Sequence, residues 1–297
     1  MTLAARLLPI AIATALLPGC QPRTEAPVAA ASAPHAGAAD DQPASLMTQV
    51  FSGWTAALPH AASMPSGQGA AQEAVLVSPL RVVPLDADHR MLLVAGVPDD
   101  GTGQPLQLQA TSVNVGAYGF ERREGRWVKT FERPSLAWSG FNGQLGQVKV
   151  HDLGDGRTVL SLQNGTCGQD VCSEWVRLFN LAPGDPRPLT PDLPLTRKLE
   201  DTPACAAWLA GQPASAGDRP DPVTPETCVD VSGTWHFETT GEPGWPALVV
   251  EFQGRKAVQD PGTGQVAPRD VEGRLVLRHG DSGYQVVSGR NPLDQGP

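Results

Sequence analysis

From Ala74 onward no apolar run in the chain stays long. Residues 80–85 and 91–97 are short apolar segments parted by Asp86-Ala87-Asp88-His89. Asp99-Asp100-Gly101-Thr102-Gly103 then makes a turn. Arg123-Glu124-Gly125 separates an aromatic stretch at 118–120 from another at 127–131, the signature of a hairpin. Val148 and Val150 alternate with Lys149 and His151, and Gly154-Asp155-Gly156 turns the chain into residues 158–162. Residues 175–181 form another antiparallel partner. Similar segments recur at 234–239, 247–252, 274–278 and 284–287. With 32 glycines and 29 prolines as punctuation, the pattern predicts a mainly β chain with antiparallel pairing, sandwich-like or partial-propeller-like.

Two helices are expected beside the strands. Leu46, Met47, Val50, Phe51, Trp54 and Leu58 recur at three- and four-residue steps, which predicts an amphipathic helix over 46–58. Ser45 can cap it and Pro59 stops it. No Lys or Arg flanks its apolar stripe, so packing on the β domain is favoured over lying on a membrane. Thr202-Pro203 opens a second, short helix through Leu209, closed by Gly211. Five prolines in residues 182–194 mark a boundary. The expected layout is a main antiparallel β domain over 46–183. A proline-rich linker, the short helix and a smaller β region follow over 184–297, either as a second sheet or as a continuation of the first.

The front of the chain has a different character. Arg6 precedes an apolar run, residues 7–17, that is shorter than the roughly 20 residues a bilayer span needs. A positive start, apolar middle and small-residue end form the plan of a secretory signal peptide. The run closes on Leu17-Pro18-Gly19-Cys20, which resembles the lipobox of bacterial lipoproteins. That resemblance implies residues 1–19 as a signal peptide and cleavage just before Cys20. It also implies a diacylglyceryl group on the Cys20 thiol and acylation of the new amino end. Gln21 stands where an aspartate in that family retains a protein in the inner membrane, so the outer membrane is favoured. Residues 21–45 hold nine alanines and four prolines, too little apolar surface to fold, so 20–45 is expected to be a lipidated tether. The body of the chain is similar in style to uncharacterised envelope lipoproteins.

The remaining cysteines fit export. Cys167, Cys172, Cys205 and Cys228 are an even set, as an oxidising compartment favours. Of the three pairings open to four cysteines, Cys167–Cys172 at a hairpin tip and Cys205–Cys228 between helix and strand are favoured. A zinc site is the weaker reading, because the Cys-x4-Cys spacing has no second compact pair. The formal charge is −9. Loss of Arg6, the one charge in residues 1–19, makes it −10. Such an acidic chain disfavours nucleic-acid binding, and leaves membrane attachment to the acyl chains.

Candidate chemistry is sparse. Trp138, Phe141 and Asn142 lie in a glycine-rich stretch, and aromatic faces beside an amide suit sugar rings; they are the candidate ligand loop. Their competing role is to plug the end of a sandwich. Asp86 with Asp88, and Asp152 with Asp155, superficially resemble calcium loops but supply two carboxylates where calcium needs more oxygens, so turn aspartates are favoured. His236 and Glu238 share one strand face opposite Trp235 and Phe237, with no third metal ligand visible. No nucleophile elbow, zinc-protease motif or phosphate-binding glycine loop is present, so no catalytic residue, metal or cofactor is assigned. The expected function is a lipid-anchored cell-envelope protein with a non-enzymatic binding or structural role. Its partner would be an envelope protein or an envelope glycan such as peptidoglycan. The alternative is an envelope glycan hydrolase using Asp/Glu carboxylates.

Overall fold

The computed structural model describes residues 42–57, 59–65, 72–168, 171–199, 202–214, 224–239 and 244–294. Residues 1–19, expected to be a signal peptide, Cys20 and most of the expected tether lie outside these residues, as does Leu58. The described chain is mainly β and its pairing is antiparallel throughout.

The first sheet is a meander of β1 (His60–Pro65), β2 (Gln72–Pro84), β3 (His89–Pro98), β4 (Val113–Arg123) and β5 (Arg126–Ser139), paired in chain order. β3 and β4 read as almost unbroken buried runs because both of their faces are covered. On one face Val75, Val77, Leu92, Val94, Tyr118 and Phe120 pack under α1 (Pro43–Val50). On the other, Met91, Leu93, Val115 and Ala117 meet Leu160, Leu162, Phe179 and Leu181 of the second sheet.

Helix α1 is shorter than the apolar periodicity predicts. Pro43 occupies its first turn, where a missing N–H costs nothing. The chain leaves helical geometry at Phe51, and Gly53 turns it at φ 75°. Phe51 and Trp54 are still buried, but from the turn beyond the helix, where Phe51 meets Tyr118 edge-on at 5.6 Å. Their spacing matched a helix while a tight turn delivered the same burial.

The second sheet has nine strands: β6 (Gln147–Asp152), β7 (Thr158–Gly168), β8 (Val171–Ala182), β9 (Asp185–Pro188), β10 (Leu193–Leu199), β11 (Val229–Glu238), β12 (Ala247–Gln259), β13 (Val266–Gly280) and β14 (Gly283–Ser288). The order is β14-β13-β12-β11-β10-β8-β7-β6, with β9 also on β8. The proline-rich stretch at 182–194 supplies β9 and feeds β10, which pairs with β8. The earlier and later β regions thus share one sheet. That sheet curls, so that Trp235 on β11 donates its indole N–H across to Gln163 on β7 at 3.2 Å. The concave side is filled by Val159, Val176, Leu178, Leu195, Val231, Leu248, Val250, Phe252, Leu275 and Leu277.

Helix α2 (Pro203–Leu209) packs on the other side of β12 through Ala204, Cys205 and Trp208, beside Ala257 and Cys228. The Cys205–Cys228 disulfide ties it to the start of β11. The Cys167–Cys172 disulfide joins directly opposed residues of β7 and β8.

Candidate functional site

The sequence-predicted ligand loop divides in the fold. Trp138 sits on β5 directly opposite Asn114 of β4. Its indole nitrogen is buried and unpartnered among the described residues, as is Asn114 Oδ1. Phe141 leaves the strand and packs edge-on against Trp175 at 5.5 Å. Asn142 (φ 53°) and Gly143 (φ 69°) are the central pair of a tight turn closed by reciprocal Phe141 and Gln144 backbone bonds. Both central residues at positive φ make the turn type in which Asn-Gly is preferred. Turn geometry therefore accounts for Asn142.

The aspartates behave likewise. Asp86 accepts the amides of Asp88 and His89 at 2.8 Å and meets His89 Nδ1 at 2.8 Å. Desolvation pushes its carboxyl up, but these bonds and the His89 charge together hold it below the usual range. Asp152 accepts from the Gly154 amide at 2.9 Å. Among the described residues no three His, Cys, Asp or Glu side chains gather as a metal site, and no helix is long and apolar enough to cross a membrane. His236 and Glu238 are exposed opposite Trp235 and Phe237, and Glu238 pairs with Arg274 at 2.6 Å.

The curl assembles a different group. Along β11, period-two alternation turns Trp235 and Phe237 toward the concave side. His151 reaches them from β6, with ring centroids 5.3 Å and 5.7 Å away. Phe237 meets Tyr284 of β14 at 6.3 Å. Tyr284 meets His279 of β13 at 5.5 Å, and His279 stacks flat on Trp245 at 4.4 Å and 10°. Six rings thus form one connected row. Tyr284 is buried; the other five are half-buried and keep part of their surface in solvent.

Polar bonds fix the row. Tyr284 donates its hydroxyl proton to the Pro246 carbonyl at 2.9 Å, and burial pushes its phenol well above the ordinary value. His151 Nε2 lies 2.9 Å from Ser161 Oγ. Burial, and then Lys149, lowers the His151 pKa. Burial also lowers that of His279; Arg187 acts in the same direction and Asp281 against it. Both imidazoles are therefore biased towards their neutral forms. The Ser161–His151 pair has the composition of a nucleophile and base, but Ser161 is 2% exposed and offers no hydroxyl to a substrate. What the row can do is present aromatic faces and edges, with neutral imidazoles, to the flat apolar face of a ligand.

This row was not legible beforehand because its members come from β6, β11, β13, β14 and the turn before β12. One signal was available: the chain has only 16 aromatic residues, and four of them meet here. No protein-family model matches the chain, and no curated protein matches it.

Proposed function

We propose that the protein is a lipid-anchored component of the bacterial cell envelope that binds an envelope glycan. In this reading the acyl groups on Cys20 hold it at the outer membrane, and the residues between Cys20 and α1 tether a sandwich-like β domain. The half-buried aromatic row of His151, Trp235, Phe237, Trp245 and His279 carries the binding proposal. These five rings keep part of their surface in solvent, whereas Phe51, Trp54, Tyr118, Phe120, Trp127, Phe179, Trp208 and Phe252 are buried in the core. Pyranose rings have an apolar face that stacks on aromatic side chains. Two disulfides support an oxidising compartment, where that glycan lies.

The test is co-sedimentation of the full-length protein with isolated peptidoglycan, comparing wild type with Trp245→Ala and Trp235→Ala. Folding is monitored by circular dichroism. The expected result is binding by wild type and at least about tenfold weaker binding by folded Trp245→Ala, a loss of about 1.4 kcal/mol. Equal binding by both, or none by wild type, overturns the glycan assignment.

A further inference from the structure

We propose that the groove between the free edge of β13 and the C-terminal segment binds a phosphate-bearing anion. The proposal depends on neither the lipid anchor nor the aromatic row.

β14 pairs with β13 only from Val276 to Gly280, so residues 266–275 of β13 have a neighbour on one side alone. Residues 289–294 return beside that edge and enclose a groove of about 500 Å³. Its outer wall is anchored. Asn291 is 5% exposed, donates its amide to the Pro194 carbonyl at 2.9 Å and accepts the Leu293 N–H at 2.9 Å. Leu293 is buried in the core beneath the curled sheet.

The charge in this groove is unusual for a chain of net charge −9. Lys256 and Arg269 are directly opposite each other on β12 and β13. Like charges so placed destabilise a strand pair unless something lies between them. Arg290 lines the same groove from the C-terminal wall. Among the described residues, none of these three has a carboxylate at ion-pair distance. The carboxylates nearby are partly disposed elsewhere. Asp270 and Glu272 also line the groove, and Asp270 is paired with Arg255 at 3.4 Å. Asp294 adds a third carboxylate from the wall that carries Arg290, against the four cations Lys256, Arg269, Arg274 and Arg290. Arg274 also lines the groove but is engaged with Glu238 at 2.6 Å.

Two guanidinium forks and one ammonium around an open space match the several oxygens of a phosphate better than a single planar carboxylate. A Cβ on Gly289 would lie 1.9 Å from the Arg274 carbonyl oxygen, so glycine lets the C-terminal wall lie close against β13. Free phosphate and a phosphate headgroup on a lipid share this chemistry.

The test uses the full-length protein. Inorganic phosphate is titrated by calorimetry and by thermal melting at constant ionic strength, with chloride as control. In a second arm, the protein is floated with phosphatidylcholine vesicles with and without phosphatidic acid. Ligand that binds the folded state raises the melting temperature. Wild type should respond to phosphate, to phosphatidic acid vesicles, or to both. A Lys256→Gln/Arg269→Gln variant should bind at least about tenfold more weakly. Response to phosphate identifies the free ion as sufficient, and response to vesicles alone identifies a headgroup. Arg290→Gln, which lies outside every strand, provides a second variant with the sheet untouched. Equal responses from wild type and variants, an equal effect of chloride, or no response in either arm overturns the proposal.

Discussion

The amide of Tyr284 donates to the carbonyl of Leu189 at 2.7 Å. Leu189 in turn donates its own amide to Leu178 on β8 at 2.7 Å. One residue just after β9 thus links β14, at the far edge of the second sheet, back to β8. The curl is held by this seam as well as by side-chain packing.

Gly283 makes the seam possible. It sits at φ 108°, and a Cβ there would lie 2.5 Å from the Leu189 carbonyl oxygen. Gly283→Ala is expected to destabilise by about 2–3 kcal/mol, combining left-handed strain with a displaced hydrogen bond. Urea unfolding should show the loss. A variant within about 0.5 kcal/mol of wild type would mean the seam contributes nothing.

The two disulfides should differ in accessibility and in stabilising effect. Cys167 is exposed at a hairpin tip, whereas Cys205 and Cys228 are 0% exposed. Mild reductant should therefore open Cys167–Cys172 first, as followed by alkylation and mass spectrometry. Sequence separations of 5 and 23 give about 2 and 3 kcal/mol respectively in the chain-entropy model. The Cys205→Ala/Cys228→Ala variant should accordingly be the less stable of the two double variants.

Asn142 separates turn chemistry from ligand contact. At φ 53°, Asn142→Gly should leave stability within about 0.5 kcal/mol, while Asn142→Val should lose about 1–2 kcal/mol. If glycan binding by folded Asn142→Gly falls with stability unchanged, the side chain touches ligand after all.

Stability should depend on pH through two histidines. His151 and His279 both have pKa values held below the ordinary one, burial being the largest cause. Just below pH about 6.5 the unfolded chain therefore binds more protons than the folded one, and stability falls as pH falls. The loss levels off once the folded pKa is passed. Urea midpoints measured downward from neutral pH should drop, with a shallower slope in His151→Gln. An identical slope would remove His151 from the account. The lowered carboxylates of Asp86, Asp100, Glu121 and Asp260 act in the same direction, but only at lower pH, near the ordinary carboxylate range.

Labelling cells with an alkyne fatty acid tests the anchor directly. Wild type should incorporate label and Cys20→Ser should not. Equal labelling of the two would place the lipid elsewhere or nowhere.

Local chemistry determined a good deal of this protein in advance. Arg123-Glu124-Gly125 and Gly154-Asp155-Gly156 predict hairpins, and β4–β5 and β6–β7 turn there, because glycine and a neighbouring polar residue tolerate positive φ. Alternation placed Trp235 and Phe237 opposite His236 and Glu238, since successive strand side chains must point to opposite faces. Short-range cysteine spacing allowed the pairing seen in both disulfides. What only the tertiary structure decided depends on partners far apart in the chain. The prolines at 182–194 look like a domain boundary locally, yet an edge strand tolerates proline and β9 is one. The row from His151 to Tyr284 and the opposition of Lys256 to Arg269 follow from strand order, curl and register. Those are set by how two sheets bury their apolar faces together, a global balance that no local window of sequence records.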